Sequence, residues 1–192
     1  MRVTRKCTIA VTVLGSLVLV GCSAGSAGYD SVLWLQMDAA ENVLFDELVS
    51  LHQTGSTQAD TVAAVKAAGE YWDGTSDPSF LTPDAPAAVI IDFRPAAHEF
   101  PYDSALSFDA LIFSGPRDPD LPRKMPGSSA GGRYDGPPAL YTCFTIEVAF
   151  TDDRMSNWHR SFDNDSRIPC PEALVAAMGE DAQYQPPTEF DG

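Results

Sequence analysis

Cysteine, histidine and basic residues are all scarce in this chain of 192 residues. It has four cysteines and three histidines, and no CxxC or HxxxH pair supplies the closely spaced ligands of a zinc site. Only 12 lysines and arginines stand against 27 aspartates and glutamates, for a formal net charge of −15. Such a surface repels the phosphate backbone of DNA and RNA. We therefore expect no metal site, no cofactor and no nucleic-acid partner.

The chain also lacks an apolar run long enough to span a membrane. Its longest run, Thr8 to Val20, has 13 residues, whereas a bilayer core of about 30 Å needs about 20 helical residues. Arg2, Arg5 and Lys6 precede this run, and Leu19-Val20-Gly21-Cys22 closes it. This arrangement resembles the lipobox signal peptide of bacterial lipoprotein precursors.

The resemblance covers residues 1–22 and says nothing about the activity of the rest. It implies that residues 1–21 are a signal peptide, cut off before Cys22, and that a diacylglycerol group is attached to the Cys22 sulfur. The acyl chains would then hold the protein to the extracytoplasmic face of the cell membrane. Residues 22–29 would be the lipidated cysteine and a flexible tether rich in Ser, Ala and Gly. An ordinary secretory signal with a chance cysteine is the alternative.

The remaining cysteines predict one disulfide. Cys7 would be lost with the signal peptide and Cys22 would be lipidated, which leaves Cys143 and Cys170. Extracytoplasmic compartments permit disulfides, so an even pair indicates a bridge. The alternatives are two free buried thiols, or a catalytic or metal-binding cysteine.

Residues 30–180 predict a single domain of the α+β class. Apolar residues three and four positions apart predict a helix over 30–53 and a second helix from about Thr57 to Trp72. A capping-box pattern at residues 38–41 favours a start of the first helix at Asp38. Because only a few residues join the two helices, we expect an antiparallel helical hairpin.

Four strands are predicted after this hairpin, at residues 88–94, 105–113, 139–150 and 154–162. A short C-terminal helix from Pro171 to Gly179 follows them. Since no helix separates the strands, we expect the hairpin to pack on a mostly antiparallel four-stranded sheet. This order is similar to nuclear-transport-factor-2-like and cystatin-like architectures, a likeness that does not fix function. Residues 181–192 are acidic, and we expect them to form a frayed tail.

Residues 115–138 predict a long loop, because they contain six prolines and several glycines. The loop carries Arg117, Arg123, Lys124 and Arg133 against three aspartates, whereas residues 22–114 carry two basic and 14 acidic residues. One hypothesis is that these four basic residues contact an anionic envelope component, either lipid head groups or a wall polymer. The alternative is a surface loop without that role.

Three patterns resemble catalytic or metal motifs but lack the required context. Residues 127–131 match GxSxG, yet no core strand precedes them and no helix follows. His98 is the only histidine beside an acid, and it lies in a proline-rich turn. Residues 163–166 begin like a calcium loop, but Ile168 occupies the position that requires glycine. We therefore assign no catalytic residue.

These observations favour a lipid-anchored envelope protein with a non-enzymatic binding or accessory role. Its partners would be the membrane, through the acyl chains on Cys22, and an anionic envelope component or a membrane protein. The alternative is an extracytoplasmic hydrolase whose catalytic residues the sequence does not identify. A third class is a structural or chaperone-like partner of another membrane protein.

Overall fold

A six-stranded mixed β-sheet forms the centre of the α+β fold. The computed structural model describes residues 31–97, 101–118, 136–161 and 168–187. The helices of this part of the chain are α1 (Ser31–Thr54), α2 (Gln58–Ala68) and α3 (Glu172–Ala177). Its strands are β1 (Glu70–Trp72), β2 (Ala87–Pro95), β3 (Ser104–Phe113), β4 (Ala139–Thr151), β5 (Arg154–Ser161) and β6 (Ala182–Tyr184).

The strands lie in the order β1-β2-β3-β4-β5, and β6 pairs with β4. Neighbours from β2 to β5 are antiparallel, whereas β1 pairs with β2 and β6 with β4 in parallel. The predicted four-stranded, mostly antiparallel sheet is therefore wrong in strand number and in type. The missed strand β1 lies inside the predicted second helix, because Trp72 continues the helical spacing of apolar residues.

The predicted frayed tail is wrong for residues 182–184, which form β6. This strand pairs with the first three residues of β4, and the Gln185 N–H donates to the Tyr141 carbonyl oxygen at 2.8 Å. A three-residue strand held by backbone hydrogen bonds leaves no apolar alternation in the sequence. Residues 188–192 lie outside the described residues.

Helices α1 and α2 pack on the first face of the sheet and form the larger core with it. The buried residues of this core include Leu33, Met37, Leu44, Leu48, Val65, Phe108, Ile112, Phe144, Ile146 and Phe150. Because Leu33 and Met37 already contribute to this core, α1 begins at Ser31 and not at the capping-box residue Asp38. Gly55, with φ +60°, ends α1, and Thr57 caps α2 by accepting the Asp60 N–H at 3.2 Å. Packing of the two helices as an antiparallel hairpin stays a prediction.

One ion pair is buried in this core. Glu41 on α1 accepts a hydrogen bond of 2.5 Å from Arg160 on β5, and their side chains are 5% and 9% exposed. The Arg160 guanidinium carbon lies 4.4 Å from the centre of the Phe144 ring and 5.3 Å from that of Phe45. The pair therefore links α1 to β5, at one edge of the mixed sheet, beside two aromatic rings.

The second face of the sheet carries a smaller apolar cluster over part of its length. Its buried residues are Trp72, Leu81, Val89, Ile91, Leu111, Phe113, Ala139, Cys143, Leu174 and Met178. The predicted disulfide is confirmed: Cys143 on β4 is bonded to Cys170, with 5.6 Å between the Cα atoms. The bridge attaches the segment that contains α3 to this face.

Candidate functional site

Beyond this smaller cluster, the second face becomes polar. One cross-strand row runs Arg94, Ser107, Glu147, His159 over β2 to β5, and the next runs Asp109, Thr145, Ser161 over β3 to β5. We call these seven residues the polar platform. It forms because β3 and β4 each change from polar to apolar on this face at the same level of the sheet.

A β-bulge places Arg94 in the platform. Asp92 adopts φ +42°, and the register between β2 and β3 shifts there, so that Phe93 pairs with Phe108 and Arg94 with Ser107. Without the extra residue, alternation would put Phe93 on the polar face. Instead, the Phe93 ring packs on the first face, with 5.1 Å between its centre and that of Phe108.

Asp109 organises the centre of the platform. Its carboxylate accepts two hydrogen bonds from the Arg94 guanidinium, at 2.8 and 2.9 Å, and one from the Thr145 hydroxyl at 2.5 Å. The hydrogen bonds to Asp109 raise the pKa of Arg94. Because its oxygens are engaged in this way, Asp109 positions its neighbours and is poorly suited to act as a free general base.

His159 and Arg94 are the most accessible members of the platform row, and Glu147 follows closely. Glu147 and His159 are cross-strand partners, with 3.7 Å between His159 Nε2 and Glu147 Oε2, and their side chains are 35% and 58% exposed. The row places the carboxylate between Ser107 and His159, and at about 4.8 Å per strand these two lie about 10 Å apart. A Ser–His–acid relay needs the imidazole in the middle. The row therefore contains a serine, a histidine and an acid, but the acid lies in the middle, so the three do not form that relay.

A shallow groove of about 430 Å³ lies where α1, the end of α2, the starts of β1 and β2 and residues 80–86 meet. Its lining residues are Ala40, Val43, Ala67, Ala68, Gly69, Glu70, Phe80, Thr82, Ala85, Pro86, Ala87 and Ala88. The size is in the range of small-molecule sites. Since Glu70 is the one ionisable side chain in that lining, the groove brings together no acid–base pair.

Of the residues expected to contact an envelope component, only Arg117 is among those described. Its N–H donates to the Pro138 carbonyl at 2.7 Å, and its guanidinium donates to the Asp118 carbonyl at 2.9 Å. The bond to Pro138 ties the two ends of the 115–138 loop together. The other residues and motifs predicted from the sequence that lie outside the described residues are Cys22, Arg123, Lys124, Arg133, His98, 127–131 and 163–166.

No group of three or more His, Cys, Asp or Glu side chains among the described residues is placed to hold a metal ion. Among the helices described, none combines the length and apolar character needed to cross a bilayer.

Sequence reasoning missed the polar platform, although its signal was present. Ser107 and Asp109 alternate with apolar residues on one strand, as do Thr145 and Glu147 on another. Only the pairing register of β3 with β4 places these residues side by side in rows. Comparison with protein-family models, with curated proteins and with solved structures finds no match to this chain.

Proposed function

We propose that this protein is a lipid-anchored domain on the extracytoplasmic face of the cell membrane, with a binding or accessory role. The lipobox pattern of residues 19–22 supports the anchor. The Cys143–Cys170 disulfide supports an oxidising compartment, because cytoplasmic thiols are kept reduced.

The polar platform is the observation that carries the binding role. It presents the Arg94 guanidinium, the Glu147 carboxylate and the His159 imidazole on one sheet face, whereas Ser107 and Thr145 are buried. The underlying strands are rigid, and Asp109 holds Arg94 and Thr145 in place, so these groups are preorganised for a ligand. Two of the five N–H donors of Arg94 bond to Asp109, and the half-exposed guanidinium has others to offer. A hydrophilic ligand with its own donors and acceptors fits such a surface.

The basic residues of the 115–138 loop form a second, separate contact in this proposal. Arg117 follows the end of β3, and Ser107 lies six residues before that end, about 20 Å along the strand. Arg117, Arg123, Lys124 and Arg133 would contact an anionic envelope component or a membrane protein, while the platform takes the hydrophilic ligand. Loss of one contact should therefore leave the other intact.

The anchor is tested by metabolic labelling with a radioactive fatty acid in a bacterium that processes lipoproteins. We expect the full-length protein to incorporate label and to fractionate with membranes, and we expect Cys22→Ala to lose both properties. A Cys22→Ser variant serves as a matched control that retains the size of the side chain but not the thiol. An unlabelled wild-type protein, or a Cys22→Ala variant that remains fully membrane-bound, would contradict the proposal.

The binding role is tested with full-length protein purified in detergent and isolated cell-envelope fragments. We expect a Glu147→Ala/His159→Ala variant to bind at least about tenfold more weakly, because it removes two exposed platform groups that can each form hydrogen bonds to a ligand. Glu172→Ala, an exposed acid on α3, is the matched control and should bind like the wild type.

The same incubation also tests the hydrolase alternative. We expect the fragments to be recovered unchanged when their soluble products are analysed by mass spectrometry. Release of cleaved fragments that depends on the protein would replace the binding role with an enzymatic one. Equal binding by the platform variant and the wild type would refute the platform as the site.

A further inference from the structure

The second apolar cluster is covered by residues 168–187, which we call the C-terminal cover. The cover contains Cys170, α3 and β6. From α3 and its end, Leu174 and Met178 are buried against the sheet. Further attachments include the three-residue pairing of β6 with β4, the hydrogen bond from Gln185 to Tyr141 and a contact of 5.7 Å between the Tyr184 and Tyr141 ring centres.

We infer that the Cys143–Cys170 disulfide is a redox-sensitive latch: its reduction releases the C-terminal cover and exposes the second apolar cluster, while the first-face core stays folded. The cover is attached to the sheet through short elements, a six-residue helix and a three-residue strand. A helix of six residues is not stable by itself in water. The disulfide joins positions 27 residues apart and is the covalent constraint that keeps the cover on the sheet.

The two apolar clusters are separate in composition, which makes a local release physically reasonable. The larger core is built from α1, α2 and β2 to β5, and none of the described residues of the cover belongs to it. The cover instead contributes Cys170, Leu174, Val175, Ala177, Met178 and Ala182 to the smaller cluster. Proteins open in such partly independent units, with different free energies of opening.

The exposure of the two cysteine residues indicates the order of the chemistry. Cys143 is 2% exposed, whereas Cys170 is half-buried. A thiolate of a dithiol reductant attacks the Cys170 sulfur, forms a mixed disulfide and displaces Cys143 as a thiolate, which takes up a proton. The second thiol of the reductant then displaces Cys170. Overall the protein disulfide gains two electrons and two protons, and the dithiol becomes a disulfide.

Hydrogen–deuterium exchange of the full-length protein, with and without dithiothreitol as the dithiol, tests the latch. On reduction we expect the amides of residues 182–185 to exchange at least about 100-fold faster, because their hydrogen bonds to β4 open. We expect the amides paired between β2 and β3 to change less than about threefold. An apolar dye should bind the reduced protein and not the oxidised one.

A Cys143→Ala/Cys170→Ser variant should reproduce the reduced state without reductant, and Glu172→Gln on the exposed side of α3 should behave like the wild type. Unchanged protection of residues 182–185 in the reduced protein would overturn the inference, because the cover would then hold without the bridge. Loss of protection across β2 and β3 as well would also overturn it, because the bridge would then support the whole domain.

Discussion

The buried ion pair between Glu41 and Arg160 offers the sharpest test of how this core is stabilised. Glu41→Leu removes the carboxylate and leaves the guanidinium, 9% exposed, over the Phe144 and Phe45 rings. The aromatic contacts offset only part of the cost of burying a charge, since a cation–π contact is worth about 0.5–2 kcal/mol.

Breaking a buried pair in this way costs about 3–5 kcal/mol of the free energy of unfolding. For a domain of this size, each kcal/mol lowers Tm by about 2–4 °C, so we expect a fall of roughly 6–20 °C. Urea unfolding under non-reducing conditions, followed by circular dichroism, measures the change while the disulfide remains intact.

A double variant that also replaces Arg160 shows whether the loss of stability arises because the guanidinium is buried without Glu41. In Glu41→Leu/Arg160→Met, both charges are replaced by apolar groups, and methionine sulfur packs well against aromatic rings. We expect this double variant to recover to within about 2 kcal/mol of the wild type. Asp46→Leu, an exposed acid on the same helix, is the matched control for the leucine itself and should change stability by less than about 0.5 kcal/mol. A single variant that costs under about 1 kcal/mol, or a double variant as unstable as the single, would refute the reasoning.

Three further predictions concern the sheet and its turns. Asp109→Asn should lower the free energy of unfolding in urea by about 1–2 kcal/mol, because it weakens charge-assisted bonds to Arg94 that solvent partly screens; no loss would contradict the organising role of Asp109. Asp73 should remain ionised at pH 3 when its carboxyl carbon is followed by NMR, because the Ser76 N–H and its neighbours hold the pKa of Asp73 well below its usual range. The stability it contributes is present above the unfolded-state pKa and lost as pH falls through the folded-state pKa, so titration near pH 4 would contradict this. Gly69→Ala should cost about 1–3 kcal/mol in urea unfolding, because its Cβ would lie 2.8 Å from a backbone oxygen of β2; an unchanged midpoint would show that the strand can move aside.

The four longer strands were predictable to within one or two residues, because their apolar alternation and flanking turns are strong local signals. The two three-residue strands were not, since backbone pairing alone holds them and side-chain pattern does not. The sequence predicted a helix over 30–53 but also favoured a start at Asp38, and the helix begins at Ser31. The capping-box pattern at Asp38 is a local signal, and burial of Leu33 and Met37 against the sheet overrides it.

The disulfide was predictable because it depends on a count of cysteines and on the compartment. The polar platform depends on the pairing register of the strands, which no pattern in the sequence reveals. The bulge at Asp92 sets this register for Arg94 on β2. Glu41 and Arg160 each stand out as a charge in an apolar stripe. Their pairing across 119 positions exists only in the fold.

The length of β4 has a consequence for how the protein can be produced. Two strands pair along one edge of this 13-residue strand: β5 pairs with residues 145–151 and β6 with residues 139–141. A polypeptide truncated before Ala182 would leave the second stretch with unsatisfied N–H and C=O groups in an otherwise complete sheet. Such an open edge recruits a strand from a neighbouring molecule, so a shortened recombinant version would be prone to association in solution.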